Sequence, residues 1–280
     1  MFTNEDIARY YHLSEVHYKL FWNLDKARSL HYGYWDSSTK NFNEALLNIN
    51  RVMADRAEIT KGMNVLDAGC GVGGSSLWLA ANRECSVTGI SLSDKQVQKA
   101  ADFARQSGLD DKVKFEQRDF TTTGYPSESF DIVWAIESVC HAYDKSEFLK
   151  EAFRVLKKGG RLIVADFFKT DGLTGANAQK IQDFANSWAV TDFATWKSFH
   201  QQLKEVGFGN IENEDASKAV MPSAKRLYRF YFLGKPASLL YRLFKGKPTS
   251  LAANNVDSAY LQYITLRKGL WKYRIVTAIK

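Results

Sequence analysis

The seventeen residues NVLDAGCGVGGSSLWLA, from Asn64 to Ala80, decide the fold of this chain, because they encode a strand, a tight turn and a helix in succession. The apolar residues after Asn64 predict a buried strand, and the glycines allow the backbone to turn sharply and to approach a ligand closely. Ser75 and Ser76 are residue types that cap helices, so we expect the helix to begin there. The stretch therefore predicts a cofactor site of the nucleotide-binding type.

The acidic residue before the glycines narrows the class of cofactor. Asp67, Gly69, Gly71 and Gly73 form the pattern D-x-G-x-G-x-G, although the glycines with Gly74 also satisfy the dinucleotide pattern G-x-G-x-x-G. The first pattern resembles motif I of the class I S-adenosylmethionine-dependent methyltransferases. The resemblance implies that these four residues bind S-adenosylmethionine. This cofactor has cationic groups and no pyrophosphate, so a nearby carboxylate suits it better than an anion-binding helix end does.

Length and composition bound the fold and the class of protein. A chain of 280 residues with 45% apolar content is sufficient for one large α/β domain with additions. Cys70, Cys85 and Cys140 lack the spacing of a metal site, and their odd number favours a reducing cytoplasm over a disulfide framework. The chain shows no signal peptide and no run of about 18 apolar residues. We therefore expect a soluble, cytoplasmic protein without a metal.

The net charge of +7 is concentrated in one segment. Seven basic residues and no acidic one lie between Ala224 and Lys247, interleaved with aromatic residues. This pattern is typical of a surface that contacts an anionic membrane, or of one that captures a diphosphate on a prenyl substrate. A solvated basic face over packed rings is the alternative. A nucleic-acid partner is not expected, because ESVCHAY lacks the Asn/Asp-Pro-Pro motif of amine-methylating nucleic-acid enzymes.

From Met63 onward the chain alternates between strand and helix patterns. Strand patterns begin at about Asn64, Ser86, Lys112 and Phe130, and a helix pattern from Lys145 to Gly160 precedes the strand RLIVADFF. Each parallel crossover needs a helix, so the alternation predicts an α/β, Rossmann-like, mostly parallel sheet with helices on both faces.

The residues around this core suggest three further parts. We expect residues 1–60 to form an N-terminal helical cap and residues 61–217 to form the cofactor-binding core. Residues 218–268 are too many for a hairpin loop and predict a basic, aromatic helical insertion that acts as a substrate lid. Residues 269–280 predict a final core strand.

Two further motifs match the methyltransferase resemblance at the cofactor. VTGISLSDKQ has Ser91 where these enzymes usually carry an acidic residue that binds the ribose. The motif is similar to that of a subset that includes tocopherol, sterol and sugar methyltransferases and cyclopropane fatty-acid synthases. In that subset Ser91 and Gln96 would contact the ribose. EQRDF implies that Asp119 faces the adenine amine and that Phe120 lies beside the ring. A solvated position for Gln96 and a turn position for Asp119 are the alternatives.

The segment AIESVCHA, from Ala135 to Ala142, points to the substrate. It resembles the AIEATCHA run of sterol C-methyltransferases, which implies that Glu137 and His141 face the atom that receives the methyl group and that Ile136 contacts the cofactor. Some sugar O-methyltransferases have two adjacent histidines where this chain has Cys140 before His141. That difference favours methylation of carbon over methylation of a hydroxyl.

The loop HYGYWD, from His31 to Asp36, resembles the aromatic entrance motif of sterol, tocopherol and phosphoethanolamine methyltransferases. Tyr34 would contact the cofactor, and Tyr32 with Glu137 would stabilise the carbocation formed when an alkene is methylated. His141, expected to titrate near neutrality, would take up the proton, and Asp166 is a further candidate base. Core packing of the rings and capping of a strand end by Asp166 are the alternatives.

These motifs predict an S-adenosylmethionine-dependent methyltransferase that acts on carbon of a small isoprenoid, sterol-like or quinone-like molecule. O- or N-methylation of another natural product is the alternative with the same cofactor. A nicotinamide-dependent oxidoreductase and an RNA-binding protein are the alternatives from other classes. Ser91 weighs against the oxidoreductase, since enzymes that prefer NAD carry an acidic residue near this position.

Overall fold

The computed structural model describes residues 2–10, 28–245 and 250–280, with side chains described outside 233–256. Part of the predicted N-terminal cap and part of the basic insertion therefore lie outside the described residues. Within the cap, residues 4–10 are helical and the loop that contains HYGYWD follows at residue 31. None of the helices in these ranges combines the length and apolar character needed to cross a membrane.

A seven-stranded sheet in the order β3-β2-β1-β4-β5-β7-β6 forms the centre of the protein. The strands are β1 (Asn64–Ala68), β2 (Ser86–Ser91), β3 (Val113–Gln117), β4 (Phe130–Ile136), β5 (Leu156–Lys169), β6 (Gly209–Asp215) and β7 (Trp271–Ile279). Strands β1 to β5 pair in parallel, whereas β7 lies antiparallel between β5 and β6. The predicted α/β, Rossmann-like sheet is confirmed.

Helices cover both faces of this sheet. They are α1 (Phe42–Arg56), α2 (Gly74–Arg83), α3 (Asp94–Gln106), α4 (Lys145–Val155), α5 (Gly175–Ser187), α6 (Trp196–Val206), α7 (Ser217–Lys245) and α8 (Ser250–Arg267). Strand β4 shows the division between the faces, since Ile132 and Trp134 pack into one apolar core while Val133 and Ala135 pack into the other. A strand buried on both sides explains the continuous apolar run in this part of the sequence.

The order of strands reverses at β1, which lies between β2 and β4. Asp67 of β1 pairs with Gly89 of β2 on one side and with Trp134 of β4 on the other. The carboxyl ends of these three strands therefore meet at one edge of the sheet. Open α/β sheets bind their ligands in the crevice at such a point.

Two helix boundaries differ from those expected. Helix α4 ends at Val155, five residues before Gly160, because the backbone of Leu156 is extended (φ −69°, ψ 137°) and pairs with Phe130 at the start of β5. Ser75 and Ser76 lie inside the first turn of α2 and do not cap it. The N-cap is Gly73, whose φ of +85° glycine adopts without strain.

Helices α7 and α8 occupy the stretch in which the sequence predicted an insertion, and α7 holds the HYGYWD loop. The Gly33 N–H donates to Ser223 Oγ at 3.1 Å, and the Trp35 N–H donates to the Ala219 carbonyl at 2.9 Å. On the other side of the loop, a Cβ added at Gly33 would lie 2.7 Å from the Cβ of Ala45 in α1. Only glycine therefore fits where the loop passes between α1 and α7.

Candidate active site

A pocket of about 860 Å³, including its open mouth, lies where the carboxyl ends of β1, β2 and β4 meet. Nine of the residues predicted from the sequence line it: Asp67, Gly69, Gly71, Ser91, Gln96, Phe120, Ile136, Glu137 and His141. Five others do not line it, namely Tyr32, Tyr34, Gly73, Asp119 and Asp166. Gly74 of the glycine turn also lines the pocket, as do His31 and Arg118, to which the sequence analysis gave no role in the site.

Glycines bring bare backbone to one wall of this pocket. Gly69 has a φ of +94°, and a Cβ there would lie 2.4 Å from the Cβ of Ser138. Gly71 has a φ of +54°, and the nearest atom to a Cβ there is a methyl of Leu30 at 3.8 Å. Gly73 supports the turn from behind, since its Cβ would meet the ring of Phe115 at 2.6 Å. Of these three glycines, Gly71 therefore faces open space, whereas Gly69 and Gly73 leave room for the side chains of Ser138 and Phe115.

The carboxyl of Asp67 is almost fully buried at this wall, with 2% of the residue exposed. Its Oδ2 accepts a hydrogen bond from the Ser76 hydroxyl at 2.6 Å, and burial raises its pKa to about 7. A buried carboxylate is costly unless a cation accompanies it. The bare backbone and the buried carboxyl together fit a ligand with a cationic amino-acid group, as S-adenosylmethionine has.

Ser91 and Gln96 form a pair at the end of β2. The Ser91 hydroxyl donates to Gln96 Oε1 at 2.8 Å and accepts from the Ser93 N–H at 3.2 Å. Ser93 caps α3, accepting from the Gln96 N–H at 3.4 Å. These contacts orient a hydroxyl and an amide at the wall, which are groups that can bind the hydroxyls of a ribose.

The side chains of the two residues predicted to contact adenine point in different directions. Phe120 lines the pocket and packs edge-on against Phe148, with ring centres 5.3 Å apart. Asp119 faces the N-terminal segment instead: its Oδ2 accepts from Asn4 Nδ2 at 2.7 Å, and its Oδ1 accepts from the Thr121 N–H at 2.8 Å. Ile7 of that segment lines the pocket. In this structure Asp119 therefore anchors the segment that covers the pocket.

Glu137 follows β4 and is held in place by three hydrogen bonds. Its Oε1 accepts from the Tyr32 N–H at 2.7 Å and from the Tyr273 hydroxyl at 2.8 Å, and its own N–H donates to the Ala165 carbonyl at 2.8 Å. Its φ of +50° is unusual for a residue with a side chain, and such strain clusters at functional sites. Burial raises its pKa to about 8.

The side chains of Tyr32 and Tyr34 point away from the pocket. The buried Tyr32 ring packs among Phe167, Trp188, Trp271 and Tyr273, with centre distances of 5.7 to 6.4 Å, and its hydroxyl donates to Oε1 of Gln262. Tyr32 thus contributes its backbone N–H to the site. The Tyr34 hydroxyl donates to Glu214 Oε1 at 3.0 Å. The ring of Tyr32 therefore packs in the apolar core, which was the alternative to its predicted role in stabilising a carbocation.

His141 lies on a 3₁₀ turn, Val139–His141, and its ring donates to the Ala189 carbonyl. The expectation that it titrates near neutrality is wrong: burial lowers its pKa to about 4, so the ring is neutral at pH 7. His31 has the same property, with a pKa of about 4 caused by burial. The signal for His31 was its place as the first residue of HYGYWD.

Asp166 lies behind this turn, beside a separate small cavity. Its Oδ2 accepts from the Cys140 N–H at 2.9 Å, its Oδ1 accepts from the Phe167 N–H at 2.8 Å, and burial raises its pKa to about 6. Lys145 donates to the carbonyls of Cys140 at 3.1 Å and Ala142 at 2.7 Å. The two buried side chains hold the turn that carries His141.

Known proteins similar in sequence are methyltransferases. A family model described as a methyltransferase domain matches residues 59–223. The 27-O-demethylrifamycin SV methyltransferase of Amycolatopsis mediterranei (strain S699) is 35% identical over 75% of this chain and 77% of its own length. The sterol 24-C-methyltransferase of Eremothecium gossypii is 31% identical over 76% and 56%. The 2-methyl-6-phytyl-1,4-hydroquinone methyltransferase of Synechocystis sp. is 31% identical over 69% and 64%.

A solved structure resembles nearly the whole chain. The [4+2]-cyclase SpnF has a TM-score of 0.76 and 25% sequence identity, and the match covers 99% of this chain and 96% of that one. The sequence family, the sheet order and the pocket agree: the chain belongs to the class I S-adenosylmethionine-dependent methyltransferases, and it resembles sterol and tocopherol-pathway enzymes among them.

Proposed function

We propose that this enzyme methylates carbon of a small apolar acceptor of the isoprenoid, sterol-like or quinone-like type. The observation that carries the proposal is the place of Glu137, a half-buried residue at the pocket wall whose carboxyl oxygen is held by Tyr32 and Tyr273. Sterol and hydroquinone methyltransferases among the relatives act on acceptors of this kind.

The cofactor would lie against the glycine wall. Asp67 would hold its ammonium group, Gly69 and Gly71 would let it approach the backbone, and Ser91 with Gln96 would bind its ribose. When bound, S-adenosylmethionine supplies an electrophilic methyl group that requires an in-line approach by the acceptor. The remaining wall, with Glu137 and His141, would then face the acceptor.

Glu137 would stabilise positive charge that develops on the acceptor. A cation close to this carboxyl favours its ionised form and lowers its pKa, since opposite charges attract more strongly in a site from which water is excluded. The neutral ring of His141 would then accept the proton that leaves the methylated carbon. Ile7 and Ala8, which line the pocket, would exclude water from this chemistry.

The test is to incubate the purified enzyme and labelled S-adenosylmethionine with three acceptors: a sterol with a side-chain alkene, 2-methyl-6-phytyl-1,4-hydroquinone and a prenyl diphosphate. NMR of the product would identify the atom that carries the new methyl group. A new methyl on carbon supports the proposal. Products that carry the methyl only on oxygen or nitrogen would refute it.

A second candidate is O-methylation. Two observations favour it: the relative from Amycolatopsis mediterranei is named as an O-demethylrifamycin methyltransferase, and two neutral imidazoles, His31 and His141, line the pocket. A neutral imidazole is the form that can take a proton from a hydroxyl, although burial makes both rings weaker bases than a free imidazole. The same NMR analysis would separate a methyl ether from a methyl on carbon.

We further infer a cytoplasmic location and peripheral contact with an anionic membrane through residues 224–247. Lys225 and Arg229 are exposed on α7, and Phe232 is 55% exposed. Arg226 instead packs over the rings of Phe42 and Phe230, 4.8 and 4.9 Å from their centres. The four other basic side chains of this segment lie outside the described residues.

Flotation of the enzyme with phosphatidylserine vesicles tests the membrane contact. Electrostatic binding should be strong at low salt and weak at high salt, because salt screens exposed charges. Replacement of Lys225 and Arg229 by glutamine should reduce it. If the protein stays in the soluble fraction at low salt, this contact is refuted.

A further inference from the structure

Within the described part of the chain, the carboxyl of Glu137 uses one of its two oxygens for hydrogen bonds. Oε1 accepts from the Tyr32 N–H at 2.7 Å and from the Tyr273 hydroxyl at 2.8 Å. A carboxylate oxygen has two lone pairs, so these two donors occupy Oε1. Because Glu137 lines the pocket, Oε2 is the oxygen that remains for a group of a bound molecule.

Tyr273 reaches Oε1 from β7, the last strand of the chain. It lies opposite Phe167 of β5 in the antiparallel register. Its N–H donates to Ser217 Oγ at 3.0 Å, and its carbonyl accepts from the Ala216 N–H at 2.8 Å. The backbone of Tyr273 is therefore fixed between β5 and the first residue of α7.

The side chain of Tyr273 is enclosed by other rings. The residue is fully buried, and its ring packs edge to face against Phe167 and Tyr32, with centre distances of 5.5 and 6.1 Å. Burial and the nearby carboxyl of Glu137 raise the pKa of Tyr273 well above its usual value. The phenol therefore keeps its proton and donates it to Oε1 in a fixed direction.

We propose that Tyr273 is a positioning residue of this site: its hydroxyl orients the Glu137 carboxyl, stabilises the ionised form and leaves Oε2 to face the acceptor. The proposal rests on the proposed function, in which Glu137 stabilises positive charge. A hydrogen bond donated to a carboxylate favours the charged form over the neutral one. Tyr273 does not line the pocket, so it acts on the acceptor through Glu137.

The groups that face Glu137 change its ionisation in opposite directions. Its pKa is about 8, because burial raises it more than the hydrogen bonds from the Tyr32 N–H and the Tyr273 hydroxyl lower it. The charge of Asp166 on β5 adds a smaller increase. Cys140 and the phenol of Tyr32 also lie near this carboxyl, and burial keeps both neutral by raising their pKa values. Among these groups, Tyr273 is the side chain that favours the carboxylate.

The first test needs no acceptor. Tyr273→Phe removes the hydroxyl and keeps the ring that packs against Phe167. NMR of enzyme with ¹³C-labelled glutamate carboxyls follows the titration of Glu137, and Glu137→Gln identifies its signal by loss. We expect the titration in Tyr273→Phe to lie at higher pH than in the wild type, because the carboxylate loses a donor. A titration at the wild-type pH, or at lower pH, would overturn the proposal.

Tyr34→Phe is the matched control. The Tyr34 hydroxyl also donates to a glutamate oxygen, Glu214 Oε1 at 3.0 Å, but its side chain points away from the pocket. Each variant loses one hydrogen bond between a tyrosine and a carboxyl, and urea unfolding measures the stability that each bond contributes. The Glu137 titration should stay at the wild-type pH in Tyr34→Phe. If it moves as far as in Tyr273→Phe, the contact with Tyr273 is not the cause and the proposal fails.

The second test measures kcat/KM against pH with 2-methyl-6-phytyl-1,4-hydroquinone, or with the sterol or prenyl diphosphate if that is the compound methylated. The wild-type value should rise with pH through about 8 as the Glu137 carboxylate forms. In Tyr273→Phe we expect this rise at higher pH and a value about tenfold lower at pH 7, as loss of a hydrogen bond to a charged group implies. The affinity for S-adenosylhomocysteine should change less than about twofold, because Tyr273 does not line the pocket.

A loss of turnover in Tyr273→Phe that is equal at every pH would indicate damage to the site without control of the carboxyl, and it would overturn the proposal. If the wild type methylates none of the three acceptors, or if Glu137→Gln turns over normally, the proposed function fails instead. The NMR titration still decides in that case whether Tyr273 controls the ionisation of Glu137.

Discussion

The backbone N–H of Tyr32 donates to Oε1 of Glu137 at 2.7 Å, although the two residues are 105 positions apart. This bond joins the entrance loop to the end of β4. The Tyr32 hydroxyl extends the connection to Gln262 of α8, whose amide donates to the carbonyl of Ala224 in α7 at 2.9 Å. Both helices of the insertion are thereby linked to the carboxyl in the pocket.

We expect Glu137→Gln to bind cofactor normally and to lose more than tenfold in turnover. Glutamine keeps an oxygen that can accept from Tyr32 and Tyr273, so the fold of the site should persist. An amide cannot ionise and gives less stabilisation to positive charge on the acceptor. Calorimetry with S-adenosylhomocysteine and kcat with the accepted substrate are the measurements, and unchanged turnover would remove Glu137 from the mechanism.

The affinity for S-adenosylhomocysteine should fall as the pH falls below about 7. Burial raises the pKa of Asp67 to about 7, so the unliganded carboxyl is protonated below that pH. A bound ammonium group favours the carboxylate and lowers this pKa, and binding at pH 6 must therefore release a proton. Calorimetry in buffers of different ionisation enthalpy counts that proton. In Asp67→Asn both the proton release and this pH dependence should disappear; if they persist, another group is responsible.

Gly74→Ala should displace the backbone at Arg28, which lines the pocket. A Cβ at this position would lie 1.9 Å from the carbonyl oxygen of Arg28, which must then move. Overpacking of this kind costs about 1–3 kcal/mol. Gly209→Ala is the control, because its Cβ would meet no atom within 4 Å. We expect weaker binding of S-adenosylhomocysteine and a lower unfolding free energy in Gly74→Ala alone, and equal behaviour of the two variants would contradict the structure.

Lys145→Met should destabilise the protein far more than Lys157→Met. Lys145 is buried and donates to the carbonyls of Cys140, Ala142 and Asp192. Its removal leaves these buried acceptors without their donor, and the loss of one partner from a buried charged interaction costs roughly 3–5 kcal/mol. Lys157 forms a more exposed ion pair with Asp131, and such pairs contribute about 0–1 kcal/mol. Urea unfolding measures both. Similar losses in the two variants would contradict a special role for Lys145 in holding the turn.

The glycine loop shows what local sequence can determine. Asp67, Gly69 and Gly71 belong to one strand and turn, and Ser91 with Gln96 belong to the strand and helix that follow. Their relative positions depend on a few neighbouring residues, so the pattern of glycines and apolar residues was sufficient to predict them. The parallel sheet was predictable for the same reason, since every strand and helix has its own periodicity.

Local patterns of residues were enough to predict the parallel sheet, the glycine loop and the carboxyl at the end of β4. No local pattern could show that Tyr34 faces Glu214, that Asp119 faces Asn4 or that His31 joins His141 in the pocket. The tertiary structure also decided that His141 is neutral, since burial and not residue type sets its pKa. The physical reason is distance along the chain. These partners lie on elements about 100 or more residues apart, and packing between elements brings them together without leaving a periodic signal in either segment.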